Sequence, residues 1–217
     1  MKSAVKTRRQ KQADTRKSLH RSAAKLFCRK GLEGASVEEV AQEAGYTKGA
    51  FYANFKSKEE LFLVMLDERF SEQLDRIDSL LGGEEEPAEE ARHAAQHFIR
   101  SFRGEDEWRR LYFEFAAYAV RNEDFRQELA TRHRALRARL TEIYRRWSAD
   151  FSAKPPVPIE DIAAMTDFMG DGFLLDQLID PELDEELYGT MLMIFFRGLQ
   201  AMAVGWEPEP LAEPSAR

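Results

Sequence analysis

The 217-residue chain holds a single cysteine, Cys28. That excludes an intrachain disulfide and a cysteine-cluster zinc site. On a helix, Cys28 is expected to pack as a small apolar side chain. Long apolar runs are missing too: none approaches the ~20 residues that span a bilayer, and the N-terminus lacks the apolar core of a signal peptide. A soluble, cytoplasmic protein is the expectation. Strand-like alternation is absent, and apolar spacing is helical almost throughout. There is no G-x-S-x-G, no phosphate-binding glycine loop and no His-Glu-x-x-His. With those signatures missing, neither an enzyme nor a bound cofactor is expected.

Acid exceeds base overall, but unevenly. Residues 1–30 carry eleven Lys or Arg against one acid, Asp14, whereas the whole chain is −7. The remaining residues therefore hold a net −17. A basic end on an acidic body fits local phosphate binding better than a protein that coats nucleic acid over its whole surface. The first ten or so residues read as a mobile arm, which is compatible with a touch on the DNA backbone or minor groove.

The densest signal lies between Ser36 and Lys58, SVEEVAQEAGYTKGAFYANFKSK. Ser36 and Glu39 form a capping box that starts a helix, and Val37, Val40, Ala41 and Ala44 share one of its faces. Gly45 stands where that helix must end, because glycine enters a left-handed turn without steric cost. Thr47 caps a second short helix in which Phe51 and Phe55 point inward. Its other face carries Lys48, Tyr52, Asn54 and Lys56, all able to donate hydrogen bonds to phosphates or base edges. Gly49 and Ala50 lack long side chains and would let the helix approach bases closely. Tyr52 does not share the face of Phe51 and Phe55, which favours DNA contact over core packing; Asn54 is open between phosphate and base, and Lys56 between DNA and solvent. Two short helices around a tight glycine turn are the geometry that lays the second in a major groove.

From about Thr15 to Leu63 the chain resembles the tetracycline-repressor (TetR) family of bacterial transcription regulators. The likeness rests on TRKSLHRSAAKLFCRKGLEGASVEEVAQEAG followed by YTKGAFYANFKSKEEL. It implies that Tyr52 and Lys58 clamp the DNA backbone and that Thr47, Lys48 and Tyr52 read sequence; Ser36 is also assigned to the DNA-binding residues. Ala53 departs from many relatives, which carry a larger residue there. The rest of the chain matches only in its helical plan, for which the family implies a ligand-binding and dimerisation domain.

An all-α fold of about nine helices is expected. A basic arm and helix-turn-helix occupy 1–57, a helical ligand-binding and dimerisation domain 58–206, and a disordered tail 207–217. A fourth helix from 58 to about 81 would span roughly 35 Å, long enough to join the DNA-binding unit to the body. Further helices are expected over 88–103, 107–120, 124–151, 159–179 and 183–204, with breaks at Gly82–Pro87 and Lys154–Pro158. The last helix is apolar on two faces, so both must be buried. One stripe, Leu187, Met191, Ile194, Phe195 and Met202, together with Phe173, is assigned to a homodimer interface; the other is Tyr188, Leu192, Phe196 and Leu199. A helix buried wholly within one subunit is the alternative.

Aromatics crowd the middle helices, and an apolar ligand cavity is assigned to Phe98, Phe102, Trp108, Tyr112, Phe115, Tyr118, Tyr144, Trp147 and Phe168, with Asn122 and Asp171 orienting the ligand. Asp167 and Asp171 lie one turn apart and would favour a cationic ligand if both pointed inward; capping or interface pairing is the favoured alternative. His93 and His97, with Glu90, give one Glu-x-x-His pair. A di-iron bundle enzyme needs a second copy, which the chain lacks; a two-histidine metal site completed by a carboxylate remains an alternative, and no metal site is assigned. The resulting expectation is a ligand-responsive repressor that binds a palindromic duplex operator as a homodimer, without membrane association, and is released by a small apolar or amphipathic effector. A helical metal-binding protein using Glu90, His93 and His97, or a non-specific architectural DNA-binding protein, are the competing readings.

Overall fold

The structure, a computed structural model, describes residues 7–150 and 154–204. The tail expected at 207–217 and residues 1–6 of the basic arm lie outside the described residues. Among the described residues there are nine α-helices and no strand: α1 (Arg8–Gly34), α2 (Val37–Glu43), α3 (Lys48–Tyr52), α4 (Lys58–Leu80), α5 (Pro87–Arg100), α6 (Asp106–Arg121), α7 (Glu123–Trp147), α8 (Ile159–Ile179) and α9 (Glu186–Ala203). None is long and apolar enough to cross a membrane.

Helix boundaries follow local chemistry. Thr7 and Ser36 form full capping boxes with Gln10 and Glu39, and Thr47, Ser57 and Asn122 cap α3, α4 and α7 with their side chains. Pro87 occupies the first turn of α5, where its missing N–H has no role. Gly45 turns the chain between α2 and α3 at φ 78°, and Gly31 breaks the end of α1 at φ 71°. The expected α7 extension to Phe151 is not described; α7 closes at Trp147 and a short 3₁₀ turn follows.

Two apolar cores result. The head core takes Leu19, Phe27, Val40, Phe51 and Phe55 from α1–α3 and the segment after α3, and Leu61, Phe62, Met65 and Leu66 from α4. It also takes Leu111, Phe115 and Ala119 from α6, and Phe125 and Leu129 from α7. Packing therefore ignores the division expected after residue 57: Phe62 stacks face to face on Phe115, and Phe27 meets the same ring edge-on. The body core gathers α5, the second half of α7, α8 and α9 around Leu74 of α4. Helix α4 thus belongs to both cores.

Candidate nucleic-acid interface and internal cavity

The head presents a face built by α3 and the turn before it. Phe51 and Phe55 are buried, which fixes the rotation of α3 and turns Lys48, Gly49 and Tyr52 outward. Tyr52 is 52% exposed although its ring leans edge-on against Phe51. Thr47 is exposed while its hydroxyl accepts from the Ala50 N–H at 3.2 Å. Lys48 is tied to Glu38 at 3.0 Å, and that carboxylate raises the pKa of the ammonium. Lys56 is exposed and Ala50 half-buried. Ser36 lies at the start of α2, where its side chain exchanges hydrogen bonds with Glu39.

Two expected contact residues are engaged internally. The Lys58 ammonium donates to the carbonyls of Leu32 at 2.5 Å and Ala35 at 3.1 Å, so it closes the end of α1. Asn54 donates from Nδ2 to the Ala50 carbonyl at 2.8 Å. Arg16, which no motif singled out, donates to the Asn54 carbonyl at 2.7 Å and lies 4.3 Å over the Phe55 ring. It pins the end of α3 from 38 positions away in sequence, and such a pairing carries no local signal.

A cavity of about 100 Å³ lies in the body beside α4. Of the residues assigned to a ligand, Phe98, Phe102, Trp108, Tyr112, Tyr144, Trp147 and Asp171 line it. The other four are placed elsewhere. Phe115 is buried in the head core, and Tyr118 packs edge-on against Phe125 beside it. Asn122 caps α7 and donates to the Tyr118 hydroxyl at 3.0 Å. Phe168 faces outward, 60% exposed, under the Arg137 guanidinium. Phe115 and Phe168 lie three residues from the lining Tyr112 and Asp171, so spacing alone could not separate those two. Sequence reasoning missed the contribution of α4, which brings Arg69, Phe70, Gln73, Leu74 and Ile77 to the wall. Its continuous apolar register past Leu66 was the available signal.

The polar part of the cavity is a small network. Tyr112 donates to Asp171 at 3.1 Å and meets His133 Nε2 at 3.3 Å. Asp167 pairs with Arg137 at 3.2 Å. Burial, and then the charge of Asp167, push the Asp171 carboxyl up to about 7. Burial holds the His133 imidazole below its ordinary value. His133 is half-buried against Phe70 and Tyr112.

The candidate metal triad is not assembled. Glu90 points inward and accepts from the Trp147 indole at 2.6 Å and the Gly82 N–H at 3.0 Å. His93 and His97 are exposed on the other side of α5, with His93 held by Glu85 at 2.8 Å. Among the described residues, no group of three metal-ligating side chains converges.

Of the expected dimer stripe, Leu187, Ile194 and Met202 are exposed and Met191 and Phe195 half-buried, while Tyr188, Leu192 and Phe196 face the body core. Phe173, assigned to the interface, is only 5% exposed and packs on Tyr188 instead. Helix α8 adds exposed Met165, Phe168, Leu175 and Ile179.

Residues 19–65 match the family model described as bacterial regulatory proteins, tetR family, and residues 87–200 match that of the BetI-type transcriptional repressor C-terminal domain. The HTH-type transcriptional regulator YfiR of Bacillus subtilis is 26% identical over 178 residues, 77% of this chain and 82% of that protein. Other likenesses are shorter: YuxN of the same organism is 46% identical over 56 residues, 26% of this chain and 19% of its own length. Among solved structures, FadR of Bacillus subtilis, in complex with stearoyl-CoA, superposes with a TM-score of 0.67 at 14% identity, covering 88% of this chain and 99% of its own. NalD, a repressor of a multidrug efflux pump in Pseudomonas aeruginosa, superposes at 0.61 with 24% identity, covering 89% and 98%.

Proposed function

Because this chain belongs to the TetR family of bacterial regulatory proteins and is a helix-turn-helix DNA-binding regulator of transcription, we propose that it represses from a palindromic operator as a homodimer and releases it when a small apolar or amphipathic effector enters the body cavity. One observation carries the reading: α4 is shared between the two cores. Its first turns supply Leu61, Phe62 and Met65 to the head, and its later turns supply Phe70, Leu74 and Ile77 to the cavity wall. A ligand that enlarges the cavity acts on the same rigid rod that seats the head. Release requires only that the ligand bind the displaced arrangement more tightly than the DNA-bound one.

In this reading Lys48 and Tyr52 face the duplex, and Lys48 exchanges Glu38 for a phosphate or base edge. Thr47, Gly49, Ala50 and Lys56 flank them. Ser36 and Lys58 act by building the head. The exposed apolar residues of α8 and α9 suit a two-fold interface, because a monomer would leave them in water. The relatives support the pieces separately: NalD is a repressor, and FadR holds a long-chain acyl thioester.

In-vitro selection of random duplexes by the full-length protein at moderate salt tests the reading. A two-fold symmetric motif with half-sites about one helical turn apart is expected. Recovery of unenriched sequence by a folded, dimeric protein would overturn it in favour of architectural, sequence-blind binding.

A further inference from the structure

Helix α3 has to hold Lys48 and Tyr52 against a groove, yet it is only five residues long. A helix this short has too few internal hydrogen bonds to fix its own geometry in water, so its orientation is imposed from outside. At its start the Thr47 hydroxyl accepts the Ala50 N–H, and the turn from α2 closes with the Tyr46 N–H on the Ala41 carbonyl at 2.8 Å. In its middle Phe51 is fully buried. The far end depends on fewer groups. The Phe51 carbonyl accepts the N–H groups of Asn54 and Phe55, and the Asn54 side chain donates to Ala50 while its Oδ1 is buried without a partner. The Asn54 carbonyl is taken by Arg16 of α1 at 2.7 Å, and the same guanidinium lies 4.3 Å from the centre of the Phe55 ring. Arg16 is itself well placed to act as a fixed point. Leu19 and Ala23, three and seven residues on along the same face of α1, are fully buried and set the rotation of that helix. Among the described residues Arg16 closes no ion pair with a carboxylate, so the carbonyl and the ring are what orient its half-buried side chain.

From this geometry we propose that Arg16 is a positioning residue for sequence reading: without touching a base, it sets the tilt at which α3 presents Lys48 and Tyr52 to the duplex. Base reading is directional, and recognition groups have to be held within roughly 0.5 Å and 10–20° of their productive geometry. Attraction to phosphates depends on the number of charges that reach the backbone and little on tilt. Loss of Arg16 therefore strikes discrimination between sequences before it strikes affinity for DNA as such. The inference rests on the operator reading above and names a residue on which its specificity depends.

The test uses the full-length protein and two probes: the symmetric duplex recovered by in-vitro selection, and a shuffled duplex of the same length and composition. Binding is followed by fluorescence anisotropy over a salt series for wild type, Arg16→Met and Arg16→Lys. Methionine keeps an apolar stem on Phe55 without charge or donor, and lysine keeps the charge without the planar guanidinium. The ratio of selected to shuffled affinity is expected to fall roughly tenfold or more in Arg16→Met, a loss of about 1.4 kcal/mol or more in discrimination, and by a smaller factor in Arg16→Lys. Affinity for the shuffled duplex and its salt slope should stay those of the wild type. Hydrogen exchange should quicken over residues 48–55 and stay unchanged in α5–α9. An equal loss on both duplexes with a salt slope lower by about one, restored by lysine, would make Arg16 a phosphate contact and overturn the proposal. An equal loss with the slope unchanged would reduce it to a residue that only keeps the head folded, and wild-type discrimination in Arg16→Met would reject it outright. Should Arg16→Met not fold, Arg16→Lys decides alone, an unchanged ratio overturning the proposal. A wild type that does not discriminate between the duplexes brings down the operator reading and this inference together. Discrimination that survives in the variants rejects Arg16 alone.

Discussion

Lys58 shows what one side chain can do that its motif does not disclose. Its place in the Ser-Lys-Glu-Glu-Leu run points to a backbone clamp, whereas its ammonium closes two carbonyls at the end of α1. Lys58→Met should therefore lower the melting temperature, at ~1–3 kcal/mol for lost charged hydrogen bonds. Its salt dependence of operator binding should stay that of the wild type, because no phosphate contact is removed. Lys48→Ala should instead leave stability unchanged and relax base preference, as repeated selection with the variant would show; a uniform loss across sequences would contradict that role.

Asp171 gives a pH signature at the same scale. Its carboxyl is raised from an ordinary 3.8 to about 7, so the folded state holds the proton more tightly than the unfolded chain does. The stability this contributes is complete below about pH 4 and is lost as pH rises through about 7. Melting curves of Asp171→Asn against wild type should coincide near pH 4 and diverge by pH 8. The variant should then be the more stable by up to a few kcal/mol, since each tenfold change in proton affinity is worth about 1.4 kcal/mol. The depressed His133 value acts in the opposite sense, losing stability as pH falls, and is common to both proteins in the comparison. A constant difference across the range would show that Asp171 is ionised normally.

At the scale of the helix, the joint between head and body is built from polar contacts as well as rings. Gly31 adopts φ 71° and ψ 175°, a region open essentially to glycine, and a Cβ there would run into the Glu114 carboxylate. That same carboxylate accepts the Leu32 N–H at 2.8 Å from α6. Gly31→Ala is expected to cost ~1–3 kcal/mol through backbone strain, read as a lower denaturation midpoint with unchanged helix content. Glu114→Gln keeps an acceptor and should be far milder. Helix α4 was legible as a long amphipathic rod. That its halves belong to different cores was not, because one face of one helix gives the same periodicity whether its partners lie in one cluster or two.

For the whole molecule, the exposed apolar residues of α8 and α9 are the feature that a single chain leaves unresolved. Ile194 is 62% exposed and its neighbours Leu187 and Met202 nearly half so. Ile194→Glu should yield a folded monomer by sedimentation, with operator affinity lost because two half-sites can no longer be bound together. A dimer of normal affinity would place the interface elsewhere.

Local chemistry in the sequence determined the parts that depend on neighbours along the chain. Capping boxes, the glycine turn, helical periodicity and the inward rings of α3 are all set within a few residues, so the all-helical plan and the outward Lys48 and Tyr52 could be read directly. Tertiary structure alone decided which aromatics enclose the cavity. Phe98 and Phe168 are equally aromatic and each lies within a helix, yet one lines the cavity and the other faces outward. The same holds for Asp171, whose burial and hydrogen bond from Tyr112 exist only after α6, α7 and α8 have met. Burial and pairing of such groups are sums over distant elements, and no spacing rule in a single sequence carries them.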